Sequence, residues 1–147
     1  MPHLTLSVGD AGPVIDLYVG VSEHRKTALT TAGQPIPPMV LIRGLIDTGA
    51  SGVVIDTTHL EALSLTPTGS TSCHTPSTSG RPVTMMTYDV MLALQHPRTH
   101  FTLGTHPIIA SDLISQGQGI DALIGRDFLD HCYLAYNGSA RLFTLAF

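Results

Sequence analysis

The sequence predicts an all-β fold with one or two short helices. Hydrophobic residues make up 43% and charged residues 12% of the 147 residues, and the chain contains 14 glycines and 10 prolines. This composition is typical of short strands joined by turns rather than of long solvated helices. Alternating apolar residues recur along the chain, as they do in half-buried strands. The length is enough for one core, so we expect a single domain over residues 1–147.

The charge balance argues against a nucleic-acid-binding protein. Seven basic and eleven acidic residues give a net charge of -4, and Arg25-Lys26 is the only adjacent basic pair. Because phosphate backbones are bound by clustered basic side chains, we expect no nucleic-acid partner.

Cys73 and Cys132 are too few for a disulfide framework and lack metal-ligand spacing. We interpret them as reduced thiols, with a single bridge as the alternative.

The first twenty residues argue against targeting to a membrane. They contain Asp10 and Asp16 and have neither a positively charged start nor a continuous apolar block. Such a segment is unlike a secretory signal or a transmembrane helix. We therefore expect a cytoplasmic protein with no membrane partner.

The N-terminal part predicts two strands and a surface segment. Residues 4–8 alternate apolar and polar side chains, and residues 14–21 are rich in β-branched and aromatic ones, so we expect a hairpin around a turn at 9–13. Residues 22–32 are polar and residues 33–38 contain three prolines. This stretch predicts a loop or a short helix on the surface.

The central part predicts a buried strand over residues 39–46 that runs directly into Asp47. Residues 53–55 predict another strand, followed by a short helix with one apolar face. Three residues are candidates for the N-cap of this helix: Asp56, Thr57 and Thr58.

The next segment predicts a long hairpin with a mobile tip. Residues 68–81 are almost entirely Ser, Thr, Pro and Gly, whereas residues 83–94 resume a strand pattern. Two further short strands are predicted at 101–103 and 107–110, separated by a turn at Gly104.

The C-terminal part predicts a buried strand, a glycine and a short helix over residues 120–129. Strands over 132–136 and 141–147 follow, joined by Asn137-Gly138 in a type I′ turn. The last strand carries apolar residues on both faces, so we expect it to be covered on both sides.

One carboxylate follows a predicted strand directly, because Leu45-Ile46 leads into Asp47-Thr48-Gly49. A charged group is costly to bury unless it is hydrogen-bonded. Gly49 has no Cβ, so the backbone can turn sharply and bring N–H groups close to the Asp47 oxygens. The Thr48 hydroxyl can anchor the loop from its other side.

A second motif lies further along the chain, where Leu123-Ile124-Gly125-Arg126-Asp127 precedes Phe128-Leu129. In this order the two motifs resemble those of the retropepsin-like aspartic proteases, and the chain is more similar to bacterial than to viral members. The resemblance covers residues 39–147. It implies a closed β-barrel or sandwich with a flap hairpin, and a ψ-loop in which the strand of the second motif lies beside the loop that carries Asp47.

The resemblance also assigns roles to residues of the site. It implies that Asp47 is the catalytic acid and base, that the Thr48 hydroxyl grips the partner loop, and that Gly49 lines the substrate backbone. The Ser/Thr-rich tip over residues 76–82 would be a flap that closes over substrate. Four residues are expected to contact substrate: Ala50, Gly80, Leu123 and Ile124.

The chain departs from the viral pattern at Ser51, where viral members usually carry an acidic residue. The ion pair that Arg126 makes with that acid is therefore missing or rebuilt elsewhere. The flap tip also lacks the glycine-rich sequence of viral members.

A single Asp-Thr-Gly implies two chains. Hydrolysis by this chemistry needs one carboxylate as base and a second, protonated one as acid. No other aspartate has the loop signature, so we expect a symmetric homodimer with the two Asp47 side chains at its axis, acting on peptides or unfolded protein. Two carboxyl groups at close range share one proton, as in known aspartic proteases, which predicts activity at mildly acidic pH without a covalent intermediate.

The sequence supports other functions less well than proteolysis. A dimer with this fold could bind peptides or act as a scaffold without turnover, and a self-processing precursor would release fragments that start within residues 1–38. His96, His100 and His106 lack the spacing of a zinc motif. Ser51 misses the spacing of a serine-hydrolase elbow. We therefore expect neither a cofactor nor a metal.

Overall fold

The computed structural model describes residues 1–75 and 79–147, which form ten strands and three helices. The strands are β1 (His3–Ser7), β2 (Val14–Val21), β3 (Val40–Ile46), β4 (Val54–Asp56), β5 (Gly69–Cys73), β6 (Val83–His96), β7 (Thr99–Ser111), β8 (Ala122–Ile124), β9 (Tyr133–Asn137) and β10 (Leu142–Ala146). The helices are α1 (Glu23–Thr31), α2 (Thr57–Ala62) and α3 (Arg126–Leu129), with a 3-10 turn at Ile114–Gln116.

Six strands close into a barrel, in agreement with the predicted fold class. Their order is β2-β3-β8-β4-β7-β6, and β2 also pairs with β6, which closes the ring. Strand β5 extends this sheet beyond β6, and β1, β10 and β9 form a separate three-stranded sheet. The alternating inward residues of the strands fill the core together with Phe128 of α3, and they include Leu17, Ile42, Ile55, Leu92, Ile108 and Ile124.

The ψ-loop is present. Strand β3 pairs in parallel with β8, with Ile46 opposite Ile124, and β8 pairs antiparallel with β4. The strands before and after the Asp-Thr-Gly loop therefore both border the strand of the second motif.

Several local predictions are confirmed. Strands β5 and β6 form the long hairpin, and helix α2 is capped by Asp56, whose side chain accepts a hydrogen bond from the Thr58 N–H. Helix α1 lies on the surface and has no buried residue. Of the predicted flap tip, residues 76–78 lie outside the described residues. Within the described ranges, no helix is both long enough and apolar enough to span a bilayer.

The predicted N-terminal hairpin is wrong. Strand β1 pairs with the last strand, Leu4 opposite Leu145, whereas β2 pairs with β3 and β6. The Phe147 N–H also donates to the Pro2 carbonyl at 3.0 Å. The physical reason is that β10, buried at Phe143 and Leu145, takes β1 and β9 as its two neighbours.

The predicted turn at Gly104 is also wrong, because β7 runs through it without interruption. A register shift opposite Val90 to Leu92 puts one additional residue on β7. Such a bulge bends a strand without ending it. A Cβ at Gly104 would lie 2.7 Å from the Glu23 Cγ, so the glycine lets helix α1 approach the strand.

The C-terminal hairpin is confirmed, but its turn is not of type I′. A type I′ turn needs positive φ at both central residues, and neither Asn137 nor Gly138 has it. Instead, Asn137 pairs with Leu142 and its Oδ1 accepts a hydrogen bond from the Ala140 N–H at 3.0 Å. Arg141 takes the left-handed conformation, with φ 53°.

Candidate active site

Asp47 lies at the end of β3, half-buried, in the position that its sequence predicts. Its N–H donates to the Ile124 carbonyl at 3.0 Å, which joins the first motif to the second. Its Oδ1 accepts a hydrogen bond from the Gly49 N–H at 2.9 Å. The glycine thus supplies the backbone donor expected of it, and a Cβ there would lie 3.1 Å from the same oxygen.

The second motif holds the loop of residues 47–53, here termed the Asp47 loop, through its backbone. The Arg126 N–H donates to the Ala50 carbonyl at 3.0 Å, and the Asp127 N–H donates to the Ser51 carbonyl at 3.2 Å. Helix α3 therefore begins against the loop, and its first N–H groups, which have no partner within a helix, are satisfied there.

The side chain of Arg126 also holds the Asp47 loop. Its Nη1 donates to the carbonyl oxygens of Thr48 at 2.8 Å and Gly49 at 3.2 Å. With Ser51 in place of an acid, the guanidinium binds the loop backbone directly.

Gly125 allows the two motifs to touch. A Cβ at this position would overlap the Gly52 carbonyl oxygen and would lie 2.8 Å from the Gly52 nitrogen. Because backbone atoms cannot move aside as the end of a side chain can, a larger residue would push the Asp47 loop away from β8.

Asp127 provides a third set of contacts. Its Oδ1 accepts from the Phe128 N–H at 2.7 Å, and its Oδ2 accepts from the Val53 N–H at 3.3 Å and lies 3.0 Å from the His106 Nε2. Burial raises the pKa of Asp127, but the hydrogen bond and the electrostatic interaction with His106 and the N–H groups of Phe128 and Val53 outweigh burial and hold the pKa below its ordinary value. Asp127 is therefore ionised at neutral pH.

The sequence identifies His106 only as a candidate zinc ligand and does not predict its contact with Asp127. The structure shows that His106 is 7% exposed. Its position two residues before the buried Ile108, on the same face of a strand, is the signal that indicates an inward side chain. The other residues considered for zinc lie elsewhere: His96 packs edge-on against Phe147, and His100 is exposed.

Asp56 supports the strand next to the site. It is 2% exposed, and its Oδ2 accepts from the N–H groups of Leu113 at 2.7 Å and Ile114 at 2.8 Å. Burial raises the pKa of Asp56, but the hydrogen bonds from Ile114, Thr58 and Leu113 outweigh it and lower the pKa to about 2. This carboxylate is structural and fixes the turn that precedes β8.

The residues expected to contact substrate differ in exposure. Ala50 and Leu123 are half-buried, and Gly80 is exposed between β5 and β6 with φ +76°. Ile124 is 0% exposed and belongs to the core cluster, because β8 turns this side chain into the barrel.

The closed barrel, the Asp-Thr-Gly loop and the apolar-apolar-glycine strand beside it are the features of a retropepsin-like aspartic protease. A family model described as aspartyl protease matches residues 27–128, and the chain belongs to that family. A comparison with curated protein sequences finds no match.

The fold is similar to that of a solved structure described as a retropepsin-like aspartic protease. A retropepsin-like aspartic protease from Rickettsia conorii is 13% identical with a TM-score of 0.57, over 97% of this chain and 89% of that one. EIAV protease is 16% identical with a TM-score of 0.44, over 81% of this chain and 86% of that one. Family and fold together support a protease, and therefore a hydrolase.

Proposed function

We propose that the chain is an aspartic endopeptidase that hydrolyses peptide bonds with a water activated between two Asp47 carboxylates of a symmetric homodimer. The observation that carries this proposal is the Asp47 carboxylate at the end of β3, held by the Gly49 N–H. A single domain over residues 1–147 supplies one half of the site.

The second carboxylate has to come from another copy. Asp56 and Asp127 are bound by backbone N–H groups, and both have a lowered pKa. A carboxylate that is ionised and fully engaged in this way cannot serve as the protonated acid. Thr48 and Gly49, in contrast, are exposed in the single chain and are available to meet a partner loop.

In the dimer, the two Asp47 carboxyl groups hold one proton between them. The ionised group takes a proton from water as it attacks the peptide carbonyl, and the protonated group supports the developing oxyanion and the leaving amine. No covalent intermediate forms. The shared proton predicts activity at mildly acidic pH.

The substrate would be an extended peptide between the Asp47 loops and the flaps. We assign direct contacts to Gly49, Ala50 and Leu123, and to Gly80 when the flap closes. Ile124 supports Leu123 from the core rather than touching substrate, because it is fully buried.

The free state of Cys73 and Cys132 is consistent with the reducing environment of the cytoplasm.

The test is cleavage of an unstructured protein between about pH 4 and 7, with and without a pepstatin-type inhibitor, together with light scattering. Asp47→Asn is expected to abolish cleavage and to remain a folded dimer. Asp16→Asn, on the exposed face of β2, is the matched control and should cleave like the wild type. Full activity of Asp47→Asn, or activity of a wild-type monomer, would refute the proposal.

A further inference from the structure

We propose that His106 is a positioning residue for Asp47, which it orients through Asp127 and the Asp47 loop. The effect on rate rests on the proposed protease function, whereas the effect on the loop does not. Among the described residues, the hydrogen bond of the His106 side chain is made to Asp127, and its role follows from a chain of short contacts.

The first step joins His106 to the loop. The His106 Nε2 lies 3.0 Å from the Asp127 Oδ2, and the same oxygen accepts from the Val53 N–H at 3.3 Å. Because an ionised carboxylate only accepts hydrogen bonds, Nε2 carries the proton in this contact. Asp127 thus bridges β7 and the last residue of the Asp47 loop.

The second step closes a ring around Val53. The Val53 carbonyl accepts from the Ile109 N–H at 3.0 Å, and Ile109 lies on β7, three residues after His106. Strand β7 therefore holds Val53 at its carbonyl directly and at its N–H through Asp127. A residue fixed on both sides in this way has little freedom to shift along the barrel.

The third step carries this constraint to the carboxylate. The loop is fixed at its start by the Asp47 N–H on the Ile124 carbonyl, and Asp127 holds its far half at two places, through its N–H at the Ser51 carbonyl and through its side chain at the Val53 N–H. Gly49, whose N–H orients the Asp47 carboxylate, lies between Asp47 and Ser51. Movement of Asp127 therefore changes the path of the segment that contains Gly49, and with it the direction of the Asp47 side chain.

The surroundings make the bond to His106 strong enough for this role. The side chain of His106 is 9% exposed and that of Asp127 is 30% exposed, so water competes little for the hydrogen bond. Charge-assisted hydrogen bonds shielded from water are stronger than exposed ones. Replacing His106 by an apolar residue would leave Oδ2 with the longer bond from Val53 as its remaining described contact.

The experiment compares three substitutions of His106 by steady-state kinetics and amide hydrogen exchange. His106→Gln keeps an N–H donor at about the position of Nε2, His106→Asn carries a donor too short to reach Asp127, and His106→Leu has none. His100→Leu is the matched control, because His100 is an exposed histidine on the same strand. Exchange is followed at Gly49 and Val53, and at Leu145 in the separate sheet.

We expect kcat to fall about 10-fold or more in His106→Asn and His106→Leu with KM within about 2-fold, since small misplacement of a catalytic group acts mainly on the chemical step. His106→Gln should recover kcat to within about 3-fold of the wild type. Exchange at Gly49 and Val53 should accelerate about 10-fold in the Asn and Leu variants and stay unchanged at Leu145.

Equal acceleration at Gly49, Val53 and Leu145 would overturn the inference, because it would mean that His106 stabilises the whole fold and not the loop. An unchanged kcat in a folded His106→Asn, or no recovery in His106→Gln, would overturn it as well. If the wild type cleaves nothing, the proposed function fails. In that case, the amide exchange rates at Gly49 and Val53 still show whether His106 holds the loop. If His106→Leu does not fold, the exchange rates of His106→Gln and His106→Asn are compared instead and answer the same question.

Discussion

The guanidinium of Arg126 lies 2.8 Å from the carbonyl oxygen of Thr48. The cation therefore binds the loop that carries Asp47 through backbone carbonyl oxygens. Since carbonyl oxygens do not titrate, this contact does not depend on pH.

Arg126→Met should lower kcat about 10-fold or more, equivalent to about 1.4 kcal/mol, because the Thr48 and Gly49 carbonyls lose their donor. Arg126→Lys keeps a cation that can approach one of them and should lose less. Steady-state kinetics on both variants checks this. Arg98→Met, in the exposed turn between β6 and β7, is the control. A kcat for Arg126→Met equal to that of the control would contradict the role of Arg126.

Gly125→Ala should destabilise the protein by about 2 kcal/mol or more, because the added methyl group overlaps the backbone of Gly52. The same change displaces the Asp47 loop, so activity should fall as well. Denaturant unfolding measures the first effect. Gly9→Ala is the control, since a Cβ at Gly9 meets nothing within 4 Å. Similar stability of the two variants would show that the close approach of the motifs does not constrain the fold.

Acid should destabilise the protein through Asp56 and Asp127. The pKa of Asp56 falls from 3.8 to about 2 on folding, and that of Asp127 is also lowered. For a lowered pKa, the stabilisation is fully present above the unfolded value near 4 and is lost as the pH falls through the folded value. The free energy of unfolding should therefore be level above about pH 5 and decline towards pH 2.

Asp56→Asn tests the larger part of this acid dependence. At pH 6 it should lower the free energy of unfolding by about 2 kcal/mol, because three N–H groups lose a charged acceptor. The difference from the wild type should narrow towards pH 2, where the wild-type carboxyl is itself protonated. Asp16→Asn should follow the wild type throughout. A difference for Asp56→Asn that does not change with pH would contradict the lowered pKa.

Cys132 should react slowly with thiol reagents. Burial raises its pKa from 9.0 to about 11, which lowers the thiolate fraction at neutral pH about 100-fold. A more basic thiolate is also a better nucleophile, so the net slowing should be about 10-fold relative to a small free thiol. Peptide mass spectrometry after timed alkylation measures the rate at Cys132. Labelling as fast as the free thiol would show that the burial is transient.

The parts of the molecule that sequence could predict are those set by local chemistry. Asp47 with its glycine, and Gly125 at the start of a short helix, depend on nearby backbone geometry that a few residues determine. The cap of α2 by Asp56 is of the same kind. Strand pairing is different, because the alternation at Leu4 and Leu6 predicts a strand without identifying its neighbour.

The same limit explains Gly104 and His106. A glycine within a strand pattern is compatible with a turn or a bulge, and the choice depends on β6 and α1, which are distant in sequence. The role of His106 depends on Asp127, 21 positions away, and on Val53 in a third segment. No spacing rule connects these residues, so the support of the Asp47 loop becomes visible only in three dimensions.

The bond between Phe147 and Pro2 has a practical consequence for engineering. Because Pro2 and Phe147 lie side by side, a short linker could join residues 1 and 147, and the chain could be opened in the exposed loop after Asn137 instead. In such a circular permutant of residues 1–147, the new ends and any tag attached to them would lie at the turn of the β9–β10 hairpin.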